Sequence, residues 1–71
     1  MTLQQLQYVI AIVEHGSISE TAKQLYVAQP TLSSAVRTLE EEFGIIICHR
    51  AARGIALTED GREFLSYARQ V

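Results

Sequence analysis

The chain has 71 residues, 48% of them hydrophobic and 20% charged, with a net charge of −2; it is too apolar for a disordered segment and just large enough for one small core. Its longest unbroken apolar run, Tyr8 to Val13, is far short of the roughly 20 residues that span a bilayer. Cys48 is the sole cysteine, which excludes an internal disulfide and suits a reducing cytoplasm, and no basic stretch with an apolar core and cleavage site reads as a signal peptide.

In chain order, "TLQQLQYVIAIVEHG" sets Leu3, Leu6, Ile10 and Val13 along one helical seam, widened by Val9 and Ile12. Thr2 is placed to cap this first helix, and Gly16 to close it in a left-handed conformation. Ser17 and Glu20 have the spacing of a capping box for a short second helix, with Ile18, Ala22 and Leu25 facing inward. That helix must stop around Tyr26 to Ala28, because Pro30 restricts the residue before it.

Proline is tolerated in a first turn, where its missing N–H has no helical partner, so Pro30 marks a third helix starting near Gln29. Taking about 100° per residue, Leu32, Val36, Leu39 and Phe43 share an arc of roughly 60°. Gln29, Pro30, Ser33, Ser34 and Arg37 occupy a separate arc of about 140°. One face is core; the other holds an amide, hydroxyls and a cation. Gly44 ends the helix.

The β-branched "IIICHR", the tip "AARG" and the alternating "IAL" predict a hairpin over residues 45–57. Thr58 then opens a last helix, with Glu59 and Asp60 at its positive end. Phe64, Leu65, Ala68 and Val71 form one apolar stripe on it. A stripe that a small core cannot cover suits a second subunit; the alternative is that it packs wholly onto Leu3, Leu6 and Ile10. The pattern runs into Val71 with no stop signal, so a longer natural protein is expected.

Charge is distributed unevenly. Residues 21–39 contain Lys23 and Arg37 and no acid, and residues 43–58 contain Arg50 and Arg53 and no acid. The acids gather before, between and after these two windows. Two helices joined by a tight turn, the second with a polar face of small side chains, form a helix-turn-helix able to enter a DNA major groove about 12 Å wide. Gln29 suits the N6/N7 edge of adenine, Arg37 a phosphate or guanine, and a hairpin wing the backbone or minor groove. A merely solvated polar face, or a protein–protein interaction module on the same fold without DNA binding, are the competing readings.

Catalysis has little to rest on: His15, Cys48 and His49 lack metal-ligand or nucleophile–base spacing, and no glycine-rich phosphate loop exists. No metal, cofactor or membrane partner is expected. His15 suits a dipole partner at a helix end, and Cys48 a buried, inert thiol.

Two stretches, "SISETAKQLYVAQPTLSSAVRTLEEEFGI" and "HRAARGIALTEDGREFLSYAR", together resemble the N-terminal winged helix-turn-helix of LysR-type bacterial transcriptional regulators. The resemblance covers nearly the whole chain. It implies a mainly α fold with a three-helix core, a two-stranded wing and a C-terminal linker helix: a DNA-binding domain at 1–57 and the start of a linker and dimerisation helix at 58–71. It places Gln29, Pro30, Thr31, Ser33, Ser34 and Arg37 on a recognition helix spanning 29–43, and Arg50 and Arg53 on a wing spanning 45–57. It implies a cytoplasmic homodimer on double-stranded DNA, joined through Phe64, Leu65, Ala68 and Val71, with room for a tetramer in the full-length protein. A small-molecule effector would act only through a C-terminal domain absent from this chain. Ala28 stands where the family usually has a capping serine, Cys48 where it usually has a large hydrophobe, and Ser34 and Ala35 where longer polar residues are common.

Overall fold

The computed structural model describes residues 1–52 and 54–70; Arg53 and Val71, assigned above to the wing and the apolar stripe, lie outside the described residues. The elements are α1 (Leu3–His15), α2 (Ile18–Leu25), α3 (Gln29–Phe43), β1 (Cys48–Ala51), β2 (Gly54–Leu57) and α4 (Glu59–Ala68). Thr2 opens α1 with a reciprocal capping box: Gln5 N–H donates to Thr2 Oγ1 and Thr2 N–H to Gln5 Oε1, each at 3.0 Å. The box predicted for α2 is half formed. Ser17 Oγ accepts from Glu20 N–H at 3.2 Å, while the Glu20 carboxylate accepts from Gln24 instead. Gly16 and Gly44 close α1 and α3 in the left-handed conformation that favours glycine.

α3 packs across α1, with α2 against both. Val9, Ile12, Ala22, Leu32, Val36, Leu39, Ile47 and Leu65 form the core. The seam of α1 is therefore Leu6, Val9 and Ile12, and Leu3 is 69% exposed rather than inward. Leu25 and Phe43, both predicted to face the core, are 39% and 43% exposed. Each lies in the terminal turn of its helix. On α2 the inward position beside Ala22 belongs to Thr21, which is fully buried with its hydroxyl satisfied by donating to the Ser17 carbonyl at 2.7 Å.

The wing is a two-stranded antiparallel hairpin, with Cys48 opposite Leu57 and Ala51 opposite Gly54. β1 begins at Cys48, three residues later than the β-branched run suggested. The reason is hydrogen bonding: Ile47 N–H donates to the Glu40 carboxylate at 2.8 Å, so the next pair in the register, Ile47 and Thr58, keeps only the bond from Thr58 N–H to the Ile47 carbonyl at 3.1 Å. The Ile47 N–H is committed to α3 and is not free for the ladder, while its side chain fills the core.

α3 starts from Ala28, whose extended backbone (φ −74°, ψ 145°) has cap geometry but no side-chain acceptor. Ala28→Ser should therefore stabilise the domain by about 1 kcal/mol, raising Tm by roughly 4–8 °C in a domain of this size. Thermal unfolding followed by circular dichroism checks this. An unchanged Tm would mean the α3 amides are already satisfied by solvent.

Candidate nucleic-acid interface

The exposed face of α3 follows from its buried one. Leu32, Ala35, Val36 and Leu39 bury one side of the helix, which turns Gln29, Pro30, Thr31, Ser34 and Arg37 to solvent, with Ser33 half-buried at the edge. The structure thus brings together on one helix all six residues read from the sequence as the recognition surface. Their side chains are short except for Gln29 and Arg37, so another surface can approach the helix backbone closely. Pro30 lies in the first turn and no side chain caps it. The amide end of α3, carrying the positive end of the helix dipole, stays open to a phosphate.

Sequence reasoning missed a contribution from α1. Gln4, Gln5 and Tyr8 line a shallow groove with Pro30, Thr31, Ser34 and Ala35. Their own periodicity marks them only as the polar side of a helix; the crossing of α1 over α3 brings them to this face.

Charge on the interface is available. Among the described residues the single ion pair joins the Met1 amine to Glu42, leaving Lys23, Arg37 and Arg50 without a carboxylate partner. The acidic run at the far end of α3 is partly absorbed by the fold. Glu42 pairs with that amine, and Glu40 accepts from Ile47 N–H.

The wing is held in a fixed place relative to α3. Ile55 N–H donates to the Gly16 carbonyl at 3.1 Å, tying β2 to the turn between α1 and α2. Gly54 makes this approach possible, since a Cβ there would meet the Gly16 carbonyl oxygen and lie 3.3 Å from its carbon. Arg50, opposite Ile55, is exposed on β1.

The remaining candidates do not converge with these residues. Cys48 is half-buried at the base of the wing, and burial first, with the Glu40 carboxylate second, pushes its thiol above the usual range, so the unreactive protonated form prevails. His15 sits in the last turn of α1. Among the described residues no three of His, Cys, Asp and Glu stand together as a metal site, and no helix is long and apolar enough to cross a membrane.

The apolar stripe expected on α4 is divided. Leu65 is 2% exposed and belongs to the core, so it is not part of a free face. One turn of α4 over Ile47 aims it inward. Phe64 packs partly on the core and against Phe43, ring centroids 5.1 Å apart and tilted by 52°. Phe64 and Ala68 open onto an apolar groove completed by Met1, Leu6, Phe43 and Tyr67.

Residues 3–62 match the family described as bacterial regulatory helix-turn-helix protein, lysR family. Over all 71 residues the chain is 39% identical to the HTH-type transcriptional regulator TcbR of a Pseudomonas species, and covers 24% of that protein. Over 68 residues it is 41% identical to the HTH-type transcriptional regulator BenM of Acinetobacter baylyi, covering 22% of it. Among solved structures it is similar to the DNA-binding domain of CbnR in its DNA complex, with a TM-score of 0.91 and 40% identity over 99% of this chain and 80% of that one. The DNA-binding domain of BenM bound to catB site 1 DNA gives 0.90 and 40% identity over 99% and 79%. The chain spans about a quarter of the length of the full-length regulators.

Proposed function

The chain belongs to the lysR family of bacterial regulatory helix-turn-helix proteins, and from that premise we propose that it is the sequence-specific DNA-binding domain of a transcriptional regulator. α3 enters the major groove, and the wing, through Arg50 and by its place in the sequence Arg53, meets the backbone or minor groove. One observation carries the reading: the open, acid-free N-terminal half of α3, with Gln29, Pro30, Thr31, Ser34 and Arg37 exposed on a buried apolar support. Gln29 reads a base edge; Thr31, Ser33, Ser34 and Arg37 secure the register on phosphates and neighbouring bases. The domain performs no chemistry. It works in the cell interior as one half of a homodimer, α4 opening a linker over residues 58–71 toward an effector-binding domain, with Phe64 and Ala68, and by its place in the sequence Val71, as the subunit contacts.

Selection of bound sequences from a random duplex pool, followed by mobility shifts, tests this. Gln29→Ala should cost about 1–3 kcal/mol on the preferred site and relax one base position. Arg50→Ala should weaken all sequences about equally and reduce the log–log salt slope by about one phosphate's share, near 0.9. A domain that shifts no duplex at low salt, or a Gln29→Ala variant with an unchanged sequence logo, contradicts the assignment.

A further inference from the structure

The turn between α2 and α3 closes on a side chain that folding does not reward. Tyr26 caps α2 at φ 57° and ψ 42°, the one left-handed non-glycine residue among the described residues. The turn needs that backbone: Tyr26 N–H donates to the Ala22 carbonyl, and Val27 N–H follows onto the same oxygen at 3.1 Å. The left-handed region disfavours a residue with a Cβ, least for asparagine and not at all for glycine. Tyr26 recovers none of this by packing, since it is 95% exposed. Glycine or asparagine would satisfy the turn better, so the aromatic ring answers to something outside the fold.

Its surroundings indicate what that is. Exposed Lys23 stands one helical turn before it and exposed Gln29, the first residue of α3, three residues after it. No acid occurs from residue 21 to residue 39. A phenol offers a hydroxyl donor and a flat apolar face on a side chain with two rotors, little of whose freedom is lost on contact. That combination fits a phosphate oxygen with its adjoining deoxyribose, and tyrosine is among the residues that donate to DNA phosphates.

We infer that Tyr26 is a positioning contact to the DNA backbone beside the groove entered by α3, its hydroxyl donating to a phosphate and its ring covering the sugar. The inference rests on the DNA-binding reading above. A backbone contact carries no sequence information, so its removal should weaken preferred and random duplexes alike.

The test compares the wild-type chain with Tyr26→Asn, Tyr26→Phe and Lys23→Ala, using fluorescence anisotropy on a selected duplex and on a random-sequence duplex, with Tm measured in parallel. Tyr26→Asn should raise Tm yet weaken both duplexes by about tenfold or more, as for a lost hydrogen bond to a charged group. Tyr26→Phe should fall between, and neither variant should change the salt slope. Lys23→Ala is the contrast for a charge: if Lys23 reaches a phosphate, its removal lowers the slope. A Tyr26→Asn variant that is more stable and binds as tightly as wild type overturns the inference alone. A folded wild-type domain that binds neither duplex overturns it together with the DNA-binding reading.

Discussion

Gly61→Ala should destabilise the domain by about 1–3 kcal/mol, although alanine is the better helix former by about 1 kcal/mol. The reversal of sign comes from packing. A Cβ on Gly61 would overlap the Ile47 carbonyl oxygen and lie 2.7 Å from its carbon and 2.9 Å from its Cα. That backbone cannot retreat. Its carbonyl accepts from Thr58 N–H at 3.1 Å, the Thr58 hydroxyl donates to the adjoining Ile46 carbonyl, and the same hydroxyl caps α4 by accepting from Gly61 N–H at 2.9 Å. α4 would have to lift, opening the core where Leu65 enters it. A domain this size has a total stability of roughly 4–11 kcal/mol, so urea denaturation should show a sharply lowered midpoint. A Gly61→Ala midpoint at or above that of wild type would mean that the contact yields at little cost.

Adjacent residues on α4 should fail in different ways. Leu65→Ala should remove about 2–5 kcal/mol of stability, independently of protein concentration, because the side chain is 2% exposed within its own subunit. Phe64→Glu should leave a folded chain that no longer associates, since Phe64 lies on the apolar groove with Met1, Leu6, Phe43, Tyr67 and Ala68. Tyr67→Glu, on a residue 67% exposed, gives the same readout without touching the Phe43–Phe64 pair. Sedimentation equilibrium over a concentration range separates association from unfolding. If wild type remains monomeric at millimolar concentration, or if both glutamate variants associate as wild type does, that groove is not the subunit contact.

The helices were legible because their ends are local. Thr2, Ser17 and Thr58 cap within three residues, Gly16 and Gly44 stop helices through a conformation that belongs to one residue, and Pro30 fixes a first turn. The exposed polar face of α3 was legible for the same reason, since a helix of known start assigns Gln29, Ser34 and Arg37 to one side by rotation alone. The interior of the wing was harder. Ile45, Ile46 and Ile47 have the composition of a strand, but the partner of Ile47 N–H is a carboxylate seven residues earlier, which no periodicity reveals.

By itself, then, the sequence determined the order of the elements, the capped ends of the helices, the polar face of α3 and the acid-free windows around it, all consequences of interactions spanning a few residues. Tertiary structure alone decided which apolar residues the core accepts. The stripe on α4 is continuous in sequence, yet Gly61 lets that helix settle on Ile47 and turns Leu65 inward, leaving Phe64 and Ala68 at the groove. It also brought Gln4 and Tyr8 beside α3 and tied the wing to Gly16. Burial depends on where whole elements cross, and crossings are set by close contacts between residues far apart in the chain, of which hydrophobic spacing carries no record.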